Sequence, residues 1–310
     1  MTSLSGRMTE YAYAKINTFL TVTGRREDGY HELLSHMQAL TLHDTLILSW
    51  QAAQGDDFHV TLRCDDPSLP CDEDNLIVRA ARALWKYMKR QGRTLGGTLE
   101  IDLQKRIPMA AGLAGGSADA AATLRGFHAL LDFPLSDTEL CDIGASIGAD
   151  VPFCLWSTKH PAMTARGIGD ILSPTISLPQ HGSLVVACGG EGVSTPWAFR
   201  HLDELGEDLS SKQAELAYED LSSALLSGEL SRIASHSYNC FEAVVLPERP
   251  VARALMDAMT EKGAIFSRMS GSGPSVVGYF DDEDKAVVCA NELLTRGVRA
   301  YVTKPLSEKL

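Results

Sequence analysis

The sequence predicts an α+β protein in two domains, and three observations carry that prediction. The chain has 310 residues, which is about two domains at roughly 150 residues each. Strand-period and helix-period segments recur in both halves. From residue 249 onward the order of elements reads as an αββαβ sandwich.

The first predicted strand covers residues 10–22, where β-formers mix with small residues before the polar break Gly24-Arg25-Arg26-Glu27-Asp28-Gly29. A second strand fits 45–50. A third fits 98–103, where Thr98, Glu100 and Asp102 alternate with Leu99, Ile101 and Leu103, the period of a half-buried strand. Asp74 is placed to N-cap a helix running to about Arg90, with Leu76, Ile77, Ala80, Leu84 and Met88 on one stripe. A further helix is expected over 117–131 and stops at Asp132-Phe133-Pro134. Ser136 and Glu139 then form a capping-box pattern for a helix ending at Gly148. The second half predicts helices over 210–224, 230–235 and 249–262, a strand over 275–280, a helix over 282–295 and a strand over 299–303. No repeat or low-complexity block interrupts the chain, and the domains divide near residue 160.

Composition narrows the function. Hydrophobic residues make up 45% and charged residues 22%, so the chain affords a core and lacks the signature of disorder. A formal charge of -12 argues against nonspecific binding of nucleic acid, which needs many basic phosphate contacts. Mean hydropathy is -0.05 and no apolar run reaches the roughly 18 residues of a membrane helix, so no membrane partner is expected. Residues 1–10 do not read as a secretory signal. Cys64, Cys71, Cys141, Cys154, Cys188, Cys240 and Cys289 are scattered, without a CxxC pair, and read as reduced, mostly buried thiols of a cytoplasmic protein.

The most informative stretch is Pro108-Met109-Ala110-Ala111-Gly112-Leu113-Ala114-Gly115-Gly116-Ser117, between a strand and an Ala-rich helix. Small residues let a backbone approach a bulky anion, and the following helix presents unpaired N–H groups with a partial positive charge. The stretch therefore reads as a phosphate cradle. It lacks the Lys-Ser/Thr pair of a Walker A loop. Taken alone, it is also compatible with a tight, closely packed strand-to-helix turn.

Four blocks in order resemble the GHMP kinases: Ala14-Lys15-Ile16-Asn17 with 24–32, Asp74-Asn75-Leu76-Ile77 to Ala83, the glycine loop with Gly148-Ala149-Asp150-Val151-Pro152-Phe153, and Gly271-Ser272-Gly273-Pro274. The resemblance spans almost the whole chain. It implies a two-domain fold, with an N-terminal ATP-binding domain over 1–160 and a ferredoxin-like substrate-side domain over 161–310. It further implies an ATP- and Mg²⁺-dependent small-molecule kinase. The Tyr30-His31 block is similar to the branch acting on the 2-hydroxyl of a cytidine diphosphate-linked methylerythritol in non-mevalonate isoprenoid synthesis. Mevalonate- or homoserine-type acceptors, and a non-catalytic ligand sensor on the same fold, are the alternatives; the expected assembly is a monomer or homodimer.

Residue by residue, the resemblance implies Lys15 and Asp150 as the catalytic cation and base. Without it, Lys15 reads as a strand-surface lysine and Asp150 as a turn aspartate at a helix exit. For substrate it implies Asn17 at the methylerythritol hydroxyls and Tyr30, His31 and Phe199 around the cytosine, with Trp197 a near alternative to Phe199. For ATP it implies Asn75, Lys105, Pro108, Gly112, Leu113, Ala114, Gly115, Gly116 and Ser117, and it places the 270–274 turn beside the site. Where the family commonly has GGGLGGGSS, this chain has Ala110, Ala111, Ala114 and Ala118. The missing hydroxyl at Ala118 removes one candidate Mg²⁺ ligand, and the methyls are expected only to crowd the loop slightly. Met37 stands where an aromatic is often found near the substrate. The acidic run 281–284 reads as a strand end and helix cap.

Overall fold

The computed structural model describes residues 5–93, 95–188, 190–206 and 210–308. Two compact units emerge, each assembled from separated segments: Met1–Ala14, His43–Ile107 and Gly115–Trp156 in the first, and Lys15–Leu42, Pro108–Ala114 and Ser157–Leu310 in the second. The strands β1 (Ser5–Arg25) and β2 (His31–Ala53) each contribute to both.

In the first unit, β4 (Gly96–Gln104) pairs antiparallel with the second half of β2, from Thr45↔Gln104 to Ala53↔Gly96. On its other edge it pairs parallel with β3 (Phe58–Cys64). Alternation does its expected work: Leu46, Leu48 and Trp50 on β2 and Leu99, Ile101 and Leu103 on β4 are buried, with polar residues between them. The helices are α1 (Leu76–Arg90), α2 (Gly115–Leu131), α3 (Asp137–Ala145) and α4 (Val151–Trp156). α2 is buried nearly all round, Ala118, Ala120, Ala121 and Ala122 included, and it packs against α1 and α4. Alanine suits that place because it has the highest helix propensity and admits close neighbours. Phe58 stacks on Trp85 at 4.8 Å and on Phe127 at 5.5 Å, closing the core.

The second unit centres on an antiparallel sheet ordered β11-β7-β10-β9: Ala300–Thr303, Ser183–Cys188, Ser275–Phe280 and Phe266–Met269. The helices α9 (Pro250–Glu261) and α10 (Glu283–Thr295) cover it, burying Leu255, Met259 and Leu293 against Val185, Val276 and Phe280. The remaining elements are β5 (Ala162–Arg166), β6 (Ile171–Pro174), α5 (Thr195–Leu205), α6 (Ser211–Ser227), α7 (Leu230–His236), β8 (Tyr238–Asn239) and α8 (Glu242–Glu248). Here the first half of β2 pairs with β5, and β1 pairs parallel with β8 at Phe19↔Tyr238.

The expected αββαβ order is present, as are the Ser136/Glu139 capping box and the Asp282 cap of α10 within the acidic run. Several boundaries differ. β2 is 23 residues long where a strand over 45–50 was expected, because residues 34–40 are all buried and show no alternation. The cap of α1 is Asn75, not Asp74: its Oδ1 accepts from the Ile77 N–H at 2.9 Å. α3 ends at Ala145, with Ser146 as its cap, rather than at Gly148. Unanticipated are β3, α4, β5, β6, β7, α5, β8 and α8, the last holding Pro247 inside a seven-residue helix. The seven cysteines are free thiols, but only Cys154, Cys240 and Cys289 are buried where most were expected to be, and among the described residues no helix is long and apolar enough to cross a membrane.

Candidate active site

The glycine loop leaves β4 and enters α2 through alternating left-handed residues: Ala110 at φ 50°, Gly112 at 75° and Ala114 at 56°. Alternation of this kind is the backbone form in which successive N–H groups gather around an anion. It also corrects the expectation of slight crowding, since at Ala110 and Ala114 the methyl strains the backbone itself. Gly112 is obligatory on two grounds. Its φ is left-handed, and a Cβ there would stand 2.2 Å from the Ser270 carbonyl oxygen. Ser270 in turn donates its hydroxyl to the Gly112 carbonyl at 3.0 Å, so the late small-residue turn packs on the loop, backbone to backbone. Thr195 at the head of α5 reaches the same turn through Ser272, hydroxyl to hydroxyl at 2.8 Å.

Lys15 lies in the same unit. Its backbone N–H donates to the Leu113 carbonyl at 3.1 Å, which ties this part of β1 to the loop. The side chain is buried, contrary to a strand-surface lysine. Its ammonium donates to Asn17 Oδ1 at 2.8 Å, and Asn17 Nδ2 donates to Ser35 Oγ on β2 at 2.7 Å. One residue further along each strand, Thr18 Oγ1 bonds His36 Nδ1, while His36 Nε2 bonds the Ile176 carbonyl at 2.9 Å. Complete burial pushes the His36 pKa down to about 4, so this ring is neutral. Met37 is buried at the next position and pairs with Met163 on β5.

The pyrimidine candidates also belong to the second unit. Residues 26–30 close a turn in which Arg26 N–H donates to the Tyr30 carbonyl at 2.7 Å, and Tyr30 is left 61% exposed. His31 stacks on Phe199 with centroids 4.5 Å apart and planes 14° apart. Those rings are already in contact with each other, which leaves no space for a third ring between them. Trp197 instead packs on His201 at 4.1 Å. His31 Nε2 donates to Asp203 Oδ1 at 2.7 Å, a partner that sequence reasoning missed. No local signal pointed to it, since 172 positions separate the two residues.

The first unit holds the rest. Asn75 is committed at both ends of its amide, with Nδ2 donating to the Pro70 carbonyl at 2.7 Å while Oδ1 caps α1. The Lys105 ammonium sits between two carboxylates, Asp44 at 2.5 Å and Asp119 at 2.7 Å. Asp44 Oδ1 also accepts from the backbone N–H groups of Arg106 and Ile107, bracing the chain as it enters the loop. Asp119 lies in the first turns of α2, and its Oδ1 is buried without a hydrogen-bond partner. Burial holds the Asp119 pKa up to about 7; Lys105 opposes the rise and Asp44 adds to it. Burial lowers the Lys105 pKa, but the two carboxylates more than offset that and raise it overall. Sequence reasoning missed both aspartates; the position of Asp119 two residues past Ser117 was the available signal. Gly115, Gly116 and Ser117 form the first turn of α2. Asp150 is half-buried immediately ahead of α4, and its carbonyl accepts from Cys154 N–H at 3.1 Å.

With this geometry established, comparison with known proteins identifies the lineage. Residues 75–158 match the GHMP kinases N terminal domain, and residues 217–299 match the GHMP kinases C terminal model. A 4-diphosphocytidyl-2-C-methyl-D-erythritol kinase from Syntrophotalea carbinolica is 39% identical over 298 residues, covering 96% of this chain and 98% of its own. The crystal structure of a 4-(cytidine 5'-diphospho)-2C-methyl-D-erythritol kinase superposes with a TM-score of 0.75 at 32% identity, over 97% of this chain and 100% of that one. A homoserine kinase from Cytophaga hutchinsonii shares the fold at a TM-score of 0.72 but only 16% identity, covering 98% of this chain and 96% of its own. The chain therefore belongs to the GHMP kinases, which are small-molecule phosphotransferases, and within them to the family of 4-diphosphocytidyl-2-C-methyl-D-erythritol kinases.

Proposed function

We propose that this protein transfers the γ-phosphoryl group of ATP to the 2-hydroxyl of 4-diphosphocytidyl-2-C-methyl-D-erythritol, in the non-mevalonate route to isoprenoid precursors. The carrying observation is the hydrogen bond from Lys15 N–H to the Leu113 carbonyl, which joins the candidate catalytic lysine to the phosphate loop. In this reading the N–H groups of the loop from Pro108 through Ser117, and the start of α2, cradle the polyphosphate. Asn75 and Lys105 line the nucleotide side. Residues 1–160 form the ATP-binding part and 161–310 the substrate-side part. The 2-hydroxyl oxygen attacks the γ-phosphorus, the bond to ADP breaks, and Asp150 takes the hydroxyl proton. Lys15 stabilises the charge that develops on the transferring group, Asn17 faces the methylerythritol hydroxyls, and Tyr30, His31 and Phe199 hold the cytosine.

Among the described residues no cluster of three metal-ligating side chains exists. Mg²⁺ is commonly held by one or two protein groups plus the phosphates it accompanies. We infer that Mg²⁺ enters with ATP, and that Ser117 is the hydroxyl the loop offers it. A charged, soluble diphosphate substrate suits a cytoplasmic enzyme, and we propose that it acts as a monomer or homodimer.

The test is ADP release by purified protein with the cytidylyl substrate, mevalonate and homoserine in parallel. Preference for the cytidylyl compound is expected, and equal or better turnover of an alcohol without cytidine overturns the assignment. Asp150→Asn is expected to lose at least about 10² in kcat while keeping its circular dichroism spectrum. Near-wild-type turnover in that variant removes the base role.

A further inference from the structure

We infer that Ser35 is a positioning residue for Lys15, acting by fixing which end of the Asn17 amide faces the ammonium. The inference rests on the catalytic role proposed for Lys15 and deepens it.

The argument follows the protons. Ser35 Oγ donates its single proton to the Phe19 carbonyl at 2.7 Å. A hydroxyl so committed can only accept from any further partner. Its next partner is Asn17, at 2.7 Å, so the NH₂ end of that amide must face Ser35 and the oxygen must face away. The oxygen then meets Lys15 Nζ at 2.8 Å. Along this series each bond runs from a donor to an acceptor, and the polarity is set at the backbone carbonyl of Phe19. All three side chains are buried, with Lys15 5%, Asn17 3% and Ser35 2% exposed. Water is therefore poorly placed to substitute for a lost hydroxyl. An Asn17 amide turned the other way would point N–H groups at an ammonium, a donor against a donor. Without the Ser35 hydroxyl the Asn17 NH₂ loses its acceptor, the ammonium alone is left to hold the orientation of the amide, and the acceptor it faces is less firmly fixed.

The test compares Ser35→Thr with Ser35→Val, side chains of nearly equal shape that differ in the hydroxyl. Both are purified, checked for equal melting temperature, and assayed for kcat and KM. The Thr variant is expected to keep most of kcat and the Val variant to lose about tenfold, with KM for ATP unchanged, as for one hydrogen bond that matters to the reacting geometry. Equal kcat in the two overturns the inference. A second comparison covers the case in which a β-branched residue at this buried position fails to fold. Ser35→Ala is expected to cost about tenfold in kcat in the native background, and nothing with Asn17→Asp, because a carboxylate presents oxygen whichever way it turns. The same loss in both backgrounds, or no loss in either, overturns it. Both comparisons are read on whichever alcohol the enzyme phosphorylates, so an error in the substrate assignment appears in the parallel assay above and is not confused with this one.

Discussion

Asp203 decides which nitrogen of His31 carries a proton. A carboxylate can only accept, so the 2.7 Å contact requires a proton on Nε2 and leaves Nδ1 as the ring nitrogen available to a ligand. Under the proposed function, a ring fixed in this way, with its face against Phe199, would offer a pyrimidine a pre-organised edge. Asp203→Ala is expected to raise KM for the cytidylyl substrate about tenfold with kcat nearly unchanged, measured by steady-state ADP release. A change in kcat alone would place Asp203 elsewhere in the cycle. Residues of this kind were illegible in the sequence for a physical reason: hydrogen bonds that orient a side chain join positions far apart in the chain. His31 with Asp203, Lys105 with Asp44 and Asn17 with Ser35 are separated by 172, 61 and 18 positions. The blocks that carry Lys15, Asp150 and the loop could be matched to the family because each is contiguous in sequence; the roles proposed for them rest on that match.

At the scale of elements, the glycine loop carries strain that its composition only partly reveals. Left-handed backbone costs a residue with a Cβ about 1–2 kcal/mol, and Ala110 and Ala114 both adopt it. Ala114→Gly is therefore expected to raise stability by about 0.5–1 kcal/mol in urea unfolding, after the larger unfolded-state entropy of glycine is subtracted. Gly112→Ala should do the reverse and cost about 2 kcal/mol or more, since it adds a Cβ clash with the Ser270 carbonyl to an unfavourable φ. Its nucleotide affinity, measured by calorimetry, should fall as well. Strand β2 shows where periodicity fails as a guide. Its second half, bordered by β4, alternates and was read correctly over 45–50, whereas 34–40 is buried on both faces and carries His36 and Gln38 among its apolar residues. A fully buried strand has no alternation to display, and polar residues satisfied inside it look like loop.

Across the whole molecule, two buried groups, one in each unit, respond to pH with opposite sign. In the first, Asp119 titrates near 7 against an ordinary 3.8, so the folded chain holds a proton that the unfolded chain has released. Its contribution to stability is present below about pH 4 and is withdrawn as pH rises through 7. In the second, His36 titrates near 4 against an ordinary 6.5, so the unfolded chain takes up a proton that the folded chain refuses. Its contribution is present above about pH 6.5 and is withdrawn as pH falls toward 4. Melting temperatures of Asp119→Asn and His36→Gln, each compared with wild type from pH 5 to 7.5, test this. The gain from Asp119→Asn should grow toward pH 7.5, and the relative gain from His36→Gln should grow toward pH 5. Parallel curves in either pair would remove that group from the pH response.

The interleaved make-up of the units bears on biosynthesis. A ribosome that has released residues 1–160 has supplied every segment of the first unit, but it has delivered Lys15–Leu42 and Pro108–Ala114 long before the remainder of the second. Those early stretches must wait, with their apolar side chains unsheltered, until β5, β8 and the last sheet emerge. Half-length gene fragments of this enzyme should accordingly be poor expression products, and nascent chains of intermediate length should be natural clients of holdase chaperones.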